Sequence, residues 1–363
     1  MLTDTDYMTR AVALAERGRG CTSPNPMVGA VIVDRDGVIV GSGAHEHAGG
    51  PHAEVYALAE AGARARGGTL YCTLEPCSHT GRTGPCAPLV TGAGITRAVI
   101  AFEDPNPLVA GRGLAHLRAH GIDVVVGLLA NEARRLNAPV LTVTRHHRPF
   151  VTMKVALSLD GRIAAAHGAR TPLTGAAANR LIHRERAEVD AIAVGSGTML
   201  ADDPRLTPRG AYRRRPLVRV LFDSRLRTPA DAKVLSTLDA GPVIIMSTHS
   251  AVDAAPDRVA ALVAAGARIE RVPDTSPLPE ALDRLASMGV SSLVVEGGAA
   301  LHRAFWDGGF VDRVQVFVTA RTLGPGGVEW LPFPVLSSGA LADVSAAPVG
   351  EDVLIEAYVH RSD

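Results

Sequence analysis

The stretch from His52 to Cys86 constrains this chain most. It reads His52-Ala53-Glu54, a run of helical character, then Glu75-Pro76-Cys77-Ser78-His79-Thr80-Gly81-Arg82-Thr83-Gly84-Pro85-Cys86. One imidazole, two thiols and a carboxylate two residues beyond the imidazole make up the donor set of a catalytic zinc site. Such a site needs three N/S ligands, a fourth position open to water, and a base at hand. A structural zinc site is the alternative; it needs a fourth ligand, His79 or Cys72, and leaves Glu54 idle. His52 and Glu54 open one helix, and Cys77 and Cys86 flank the loop entering the next. Helix N-termini present positive dipole ends that favour thiolate.

Periodicity around this stretch predicts helix over 4–17, strands over 27–33 and 38–43 joined by the Asp34-Arg35-Asp36-Gly37 turn, and helix over 53–65. Strands over 69–74, 97–102 and 123–127 then alternate with helices over 87–92, 113–120 and 131–136, which predicts a three-layer αβα sandwich. Thr144-Arg145-His146-His147-Arg148-Pro149 is polar and proline-bearing between two apolar blocks, and is read as a solvated linker at a domain boundary. The pattern then restarts, with strands over 150–157, 191–195, 218–223, 243–247, 268–272, 292–296, 314–319 and 353–359. Helices over 176–188, 257–265 and 278–288 lie among them. The expectation is two α/β domains, 1–145 and 149–363, and 363 residues suffice for two cores.

Zero formal net charge weakens any reading as an enzyme acting on RNA or DNA, which needs a basic footprint. The opening MLTDTDYMTR has no apolar signal core and no apolar run is long enough to span a bilayer, so a cytoplasmic protein without a membrane partner is expected. Thiols stay reduced there, and the cysteines read as metal ligands before disulfides. Of the 37 basic residues only Lys154 and Lys233 are Lys. A retained Lys marks a place where a guanidinium does not serve.

His-x-Glu followed by Pro-Cys…Cys is the signature of zinc deaminases, in which the Glu moves a proton from the attacking water to the departing amine. Two residues usually separate the cysteines; here there are eight. With Ser23-Pro24-Asn25-Pro26 and Asp104-Pro105-Asn106-Pro107, this long loop resembles the deaminase half of the bifunctional riboflavin-biosynthesis deaminase/reductase family, over nearly all of residues 5–145. The resemblance implies a cytidine-deaminase-like fold, Zn²⁺ on His52, Cys77 and Cys86, and Glu54 as proton shuttle. It also implies Asn25 and His45 as contacts to the pyrimidine, and His79, Arg82, Asp104 and Asn106 around the ribosyl phosphate.

The second half lacks a Gly-x-Gly-x-x-Gly after a strand. It has Lys154-Val155-Ala156-Leu157-Ser158-Leu159-Asp160-Gly161, Gly197-Thr198-Met199-Leu200-Ala201-Asp202-Asp203-Pro204, Leu206-Thr207-Pro208-Arg209, Phe222-Asp223-Ser224 and Glu296-Gly297-Gly298. In this order they resemble the reductase half of the same family, with a dihydrofolate-reductase-like fold and NADPH as cofactor. The resemblance implies NADPH contacts at Ala156, Thr198, Asp202, Ser224, Gly298, Ala299, Ala300 and Leu301, and substrate contacts at Arg186, Leu206, Arg209 and Glu296. Taken alone, Gly297-Gly298 at a helix entry is equally a tight turn, and Asp202-Asp203 equally a cap before Pro204. Where the family commonly has Ser and Trp, this chain has Arg170 and Pro172; proline brings neither an N–H nor an indole plane.

The activity so implied is deamination of 2,5-diamino-6-(5-phosphoribosylamino)pyrimidin-4-one, then NADPH reduction of the ribosyl group of 5-amino-6-(5-phosphoribosylamino)uracil to ribityl, by a homo-oligomer acting on small molecules. The alternatives are a deaminase carrying an inactive or ligand-binding reductase-like domain, a deaminase of free nucleotides or tRNA bases, and a regulatory module built on structural zinc.

Overall fold

The computed structural model describes residues 2–78, 84–106, 109–331 and 335–359. The chain divides between His146 and His147 into two compact units. The first contains α1 (Asp4–Ala15), β1 (Gly29–Val33), β2 (Ile39–Ala44), α2 (Ala53–Ala61), β3 (Thr69–Cys72), α3 (Cys86–Gly92) and β4 (Arg97–Ile100). It continues through α4 (Arg112–Ala119), β5 (Asp123–Val126), α5 (Ala130–Leu136) and α6 (Ala138–His146). The sheet order is β2-β1-β3-β4-β5, with β1 antiparallel to β2 and β3 and the remaining pairs parallel.

Every residue of β1 is buried, which requires cover on both faces of the sheet. A Cβ on Gly29 would stand 2.0 Å from the Ala11 carbonyl oxygen of α1. One on Gly43, which pairs with Ala30 and so faces the other way, would stand 2.2 Å from the Ala53 carbonyl oxygen of α2. Glycine at these two positions lets one helix lie close on each face. That is the αβα layering expected from periodicity.

Helix ends differ from expectation where backbone geometry intervenes. The helix expected over 4–17 ends at Ala15 and tightens into a 3₁₀ turn, Glu16–Gly18. The one expected over 53–65 breaks at Gly62, whose φ of 53° leaves the helical region. The stretch 144–149 holds the division between the units and leaves Arg145, His146 and His147 exposed, but it is not all linker. Helix α6 runs to His146, and Arg148 is held by a bidentate ion pair to Asp312 (2.6 and 2.7 Å), which also accepts the Val151 N–H. A guanidinium with a buried carboxylate partner is a structural anchor, which polarity along the sequence does not reveal.

The second unit comprises β6 (Phe150–Leu157), β7 (Arg162–Ala164), α7 (Ala176–Glu188), β8 (Ala191–Gly195), α8 (Ser196–Asp202), β9 (Val218–Phe222), β10 (Val243–Thr248), α9 (His249–Asp253) and α10 (Pro256–Ala264). There follow β11 (Ala267–Val272), α11 (Pro277–Ser287), β12 (Ser292–Gly297), α12 (Ala299–Asp307), β13 (Arg313–Thr319), β14 (Val328–Glu329), β15 (Ala342–Val349) and β16 (Asp352–Tyr358). Nine strands form one sheet, β11-β10-β9-β8-β12-β6-β13-β16-β15, parallel from β11 to β13 and closed by an antiparallel β16-β15 edge. Alternate residues of β8 enter two apolar clusters, Ala191 and Ala193 one and Ile192 and Val194 the other, so both faces are covered. Among the described residues, no helix is long and apolar enough to cross a membrane.

Candidate active sites

In the first unit, His52 is the N-cap residue of α2, Glu54 lies in the first turn of that helix, and Cys86 begins α3. The His52 Nδ1 atom is 3.5 Å from Cys77 Sγ and 3.4 Å from Cys86 Sγ. The three ligand atoms lie within 4.8 Å of one another. Zinc bonds to sulfur and imidazole nitrogen at a tetrahedral angle put these atoms about 3.6 Å apart, so the triplet fits Zn²⁺ without rearrangement. All four cysteines are free thiols. The Cys77 thiol is pulled down by the hydrogen bond from the Cys86 thiol, against desolvation and with help from His52 and the Cys86 N–H. Cys72, one of the two residues that could supply the fourth ligand of a structural site, is a fully buried core residue outside this triplet, and its thiol is pushed well up by burial.

Glu54 is 3% exposed and its Oε2 has no hydrogen-bond partner among the described residues. Burial pushes its pKa up, opposed by its own backbone N–H and by the neighbouring His52. An unsatisfied carboxylate oxygen is costly in a core, and it fits a site whose missing partner is a water or a substrate. His45 is also buried; its Nδ1–H donates to the Pro51 carbonyl (2.9 Å), which leaves Nε2 to accept from Asn25 Nδ2 (3.3 Å). Burial lowers the His45 pKa, so the ring stays neutral, edge-on to His52 at 5.5 Å between centroids. Asn25 and His45 therefore flank the metal ligands. Asp104 and Asn106 share a turn in which Asp104 Oδ1 accepts the Asn106 N–H at 2.8 Å. His79 and Arg82 lie outside the described residues.

The second unit holds a cavity of about 840 Å³ at the carboxyl ends of β6, β8 and β12, the usual ligand position of a parallel sheet. Ala156, Thr198, Asp202, Gly298, Ala299 and Ala300 line it, as do Arg186, Leu206, Arg209 and Glu296. Gly298, at φ 77°, makes the turn from β12 into α12, so the free N–H groups of that helix start at the cavity wall. Thr198 and Asp202 sit on α8, a helix that periodicity missed, and Asp203 ends it in a left-handed conformation. Two expected contacts are not brought into the cavity. Ser224 lies exposed beyond the end of β9, its carbonyl accepting from Thr248 Oγ1, and the Leu301 side chain is turned toward Gly195 and packs on the core.

At the cavity floor Arg186 grips Glu296 through Nε (2.8 Å) and Nη2 (2.6 Å) and reaches the Thr207 carbonyl through Nη1 (3.3 Å). Lys154 Nζ lies 3.9 Å from Glu296 Oε2. Burial opposes ionisation of Glu296, but the charges of Arg186 and Lys154 outweigh it and draw the carboxyl to about 2. Burial lowers the Lys154 pKa, with Glu296 acting against it. Sequence reading assigned Lys154 no role; the scarcity of Lys was its one signal. His302 and Trp330 were missed outright. The His302 Nε2–H donates to the Val295 carbonyl (3.1 Å), Nδ1 accepts from Trp330 Nε1 (2.9 Å), and burial drives the ring down to about 4, leaving it neutral. Arg170 and Pro172 both line the cavity; Arg170 acts electrostatically on Asp202, and the Pro172 carbonyl accepts from Arg321 Nη1 at 3.2 Å.

Comparison with known proteins agrees with this two-site architecture. Residues 149–355 match the model of the RibD C-terminal domain, and residues 1–102 match that of the cytidine and deoxycytidylate deaminase zinc-binding region. Riboflavin biosynthesis protein RibD of Aquifex aeolicus is 40% identical over 89% of this chain and 88% of its own length. The Escherichia coli protein of that name is 40% identical over 88% of this chain and 89% of its own. Acinetobacter baumannii RibD superposes with a TM-score of 0.87 at 34% identity, covering 98% of both chains. A Thermotoga maritima protein described as diaminohydroxyphosphoribosylaminopyrimidine deaminase/5-amino-6-(5-phosphoribosylamino)uracil reductase gives 0.84 at 32% identity, again over 98% of both. Similarity of this depth across both units shows that the chain belongs to the RibD family of riboflavin-biosynthesis proteins, joining a zinc-binding deaminase domain to a reductase domain.

Proposed function

We propose that the first unit deaminates 2,5-diamino-6-(5-phosphoribosylamino)pyrimidin-4-one and the second reduces the ribosyl group of the resulting uracil, with NADPH as hydride donor. The observation that carries this reading is the His52, Cys77, Cys86 triplet with the unpartnered Glu54 oxygen beside it. His52, Cys77 and Cys86 would hold Zn²⁺, which would supply a Lewis acid that makes water nucleophilic near neutral pH. Glu54, buried beside the triplet, is placed to take a proton from the attacking water and hand it to the departing amine. Asn25 and the neutral His45 fix the ring edge, and Asp104 and Asn106 hold the phosphorylated sugar together with His79 and Arg82.

In the second unit the start of α12 and its N–H groups suit a pyrophosphate. Arg209 lines the cavity and suits the substrate phosphate, while the Arg186–Glu296 pair and Lys154 present a fixed polar floor to the sugar. Arg170 and Pro172 replace the family's usual Ser and Trp without closing the cavity that both of them line.

Zinc-loaded protein given the diaminopyrimidinone phosphate should release ammonia and then oxidise NADPH. Chelation should stop both, and supplying the deaminated uracil should restore oxidation alone. Ammonia release without any NADPH oxidation favours the reading of a deaminase with a passenger domain, with Arg170 and Pro172 as its cause. Sedimentation at micromolar concentration should show a dimer or larger homo-oligomer, and monomer alone would remove that part of the reading.

A further inference from the structure

Glu75 lies just beyond β3, two residues before Cys77, and is buried. Its carboxylate accepts four backbone N–H groups. Asp104 and Gly111 both donate to Oε2 at 3.0 Å; Gly113 and Leu114 donate to Oε1 at 2.7 and 3.2 Å. Gly113 and Leu114 belong to the first turn of α4, whose N–H groups have no partner within the helix. Gly111, the N-cap residue, has no side chain with which to cap it. Glu75 supplies that cap from another segment, with a charge that the helix N-terminus favours.

The same oxygen that takes Gly111 also takes Asp104, so one atom ties together both ends of the segment between β4 and α4. The fit is close: a Cβ on Gly113 would stand 2.0 Å from the Pro76 carbonyl oxygen and 3.0 Å from Glu75 Oε1. The first turn of α4 therefore rests directly on the Pro76-Cys77 turn that carries a zinc ligand. A cap alone needs one acceptor; this carboxylate joins the metal turn, the Asp104–Asn106 turn and α4.

We propose that Glu75 is the positioning residue for substrate specificity in the deaminase, holding the Asp104–Asn106 turn at a set distance from the metal ligands so that it reads the phosphorylated sugar while the ring lies at the metal. This rests on the deaminase reading proposed above. The turn meets a part of the substrate that does not react, so its displacement weakens recognition of the phosphorylated sugar and leaves the chemistry of the ring in place.

The test is the zinc-loaded full chain carrying Glu75→Gln, assayed by ammonia release on the phosphorylated pyrimidine and on its dephosphorylated riboside. The amide places a donor against two N–H groups and drives the turn away. The expected result is a fall in kcat/KM of about 10–100-fold for the phosphorylated substrate, mostly through KM. Turnover of the riboside falls clearly less than that of the phosphorylated substrate, the folded variant keeps its zinc, and Glu75→Asp, which keeps the charge, recovers part of the preference. Equal losses on both substrates, a wild type indifferent to the phosphate, or zinc lost from a folded variant would overturn the proposal. If Glu75→Gln does not fold, the same substrate ratio in Glu75→Asp decides. A wild type that releases ammonia from neither substrate overturns the deaminase reading itself, a result separate from a changed ratio.

Discussion

Glu54→Gln is expected to lower ammonia release by about 10²–10⁴-fold while leaving NADPH oxidation with the deaminated substrate unchanged. The substitution preserves shape in a site where Glu54 is 3% exposed, so the helix start that carries His52 has no reason to move. What disappears is the group able to accept and return a proton. Zinc content should hold at the wild-type level, which separates lost catalysis from a lost metal. Stability should move the other way. In the metal-free protein burial raises the Glu54 pKa, so the folded state binds its proton more tightly than the unfolded state does. Stability then falls as pH rises from the ordinary Glu range through the raised value, and an uncharged Gln removes that penalty. The metal-free variant's Tm at pH 8 should therefore be at or above that of the metal-free wild type, the usual direction when a buried catalytic group is removed. Full ammonia release by a zinc-loaded Glu54→Gln protein would exclude the shuttle role.

Glu296→Gln should abolish NADPH oxidation and destabilise the second unit by about 3–5 kcal/mol, the range for removing one partner of a buried ion pair. Arg186 and Lys154 would face each other in a nearly dry floor, their side chains 14% and 11% exposed, with only the charge of Glu185, itself paired with Arg313, acting on Lys154. Lys154 relieves part of this by shedding its proton, since burial already lowers its pKa, so the lower end of the range is expected. The pH dependence follows from a carboxyl drawn to about 2 against desolvation. Its contribution is complete above the ordinary Glu pKa of about 4.3 and is lost as pH falls from there toward 2. Calorimetry of the full chain should show one transition moved down in the variant, with ammonia release retained below it. An unshifted thermogram would mean that Arg186 and Lys154 find solvent in the variant.

Much of the first site was legible because its chemistry is written in residue types. Imidazole, thiols and carboxylate at His52, Glu54, Cys77 and Cys86 have few joint uses, and the structure brings the three ligands to within a zinc bond's geometry of one another. Asn25 and His45 came only with the family resemblance; their mutual hydrogen bond depends on a loop closing over 20 residues. In the second unit the pattern located β12 and its Gly297-Gly298 exit; Arg186, Ser224 and Leu301 came with the family resemblance, and of these only Arg186 lines the cavity. Motif position marks where an element ends, while the direction of each side chain follows from packing.

Local periodicity and donor chemistry were thus enough to determine two α/β units and a triplet fit for zinc with a carboxylate beside it, since each depends on residues whose types and spacings are visible along the chain. Tertiary structure alone decided the rest. The strand order puts β12 between β8 and β6, which sets Glu296 within reach of Lys154, 142 positions away in sequence, and of Arg186, 110 positions away. It also hands the Glu75 carboxylate to four N–H groups across a chain separation of 29 to 39 residues. Such partners meet through sheet topology and packing, and no spacing between them carries a signal, because a hydrogen bond depends on distance in space and not on distance along the chain.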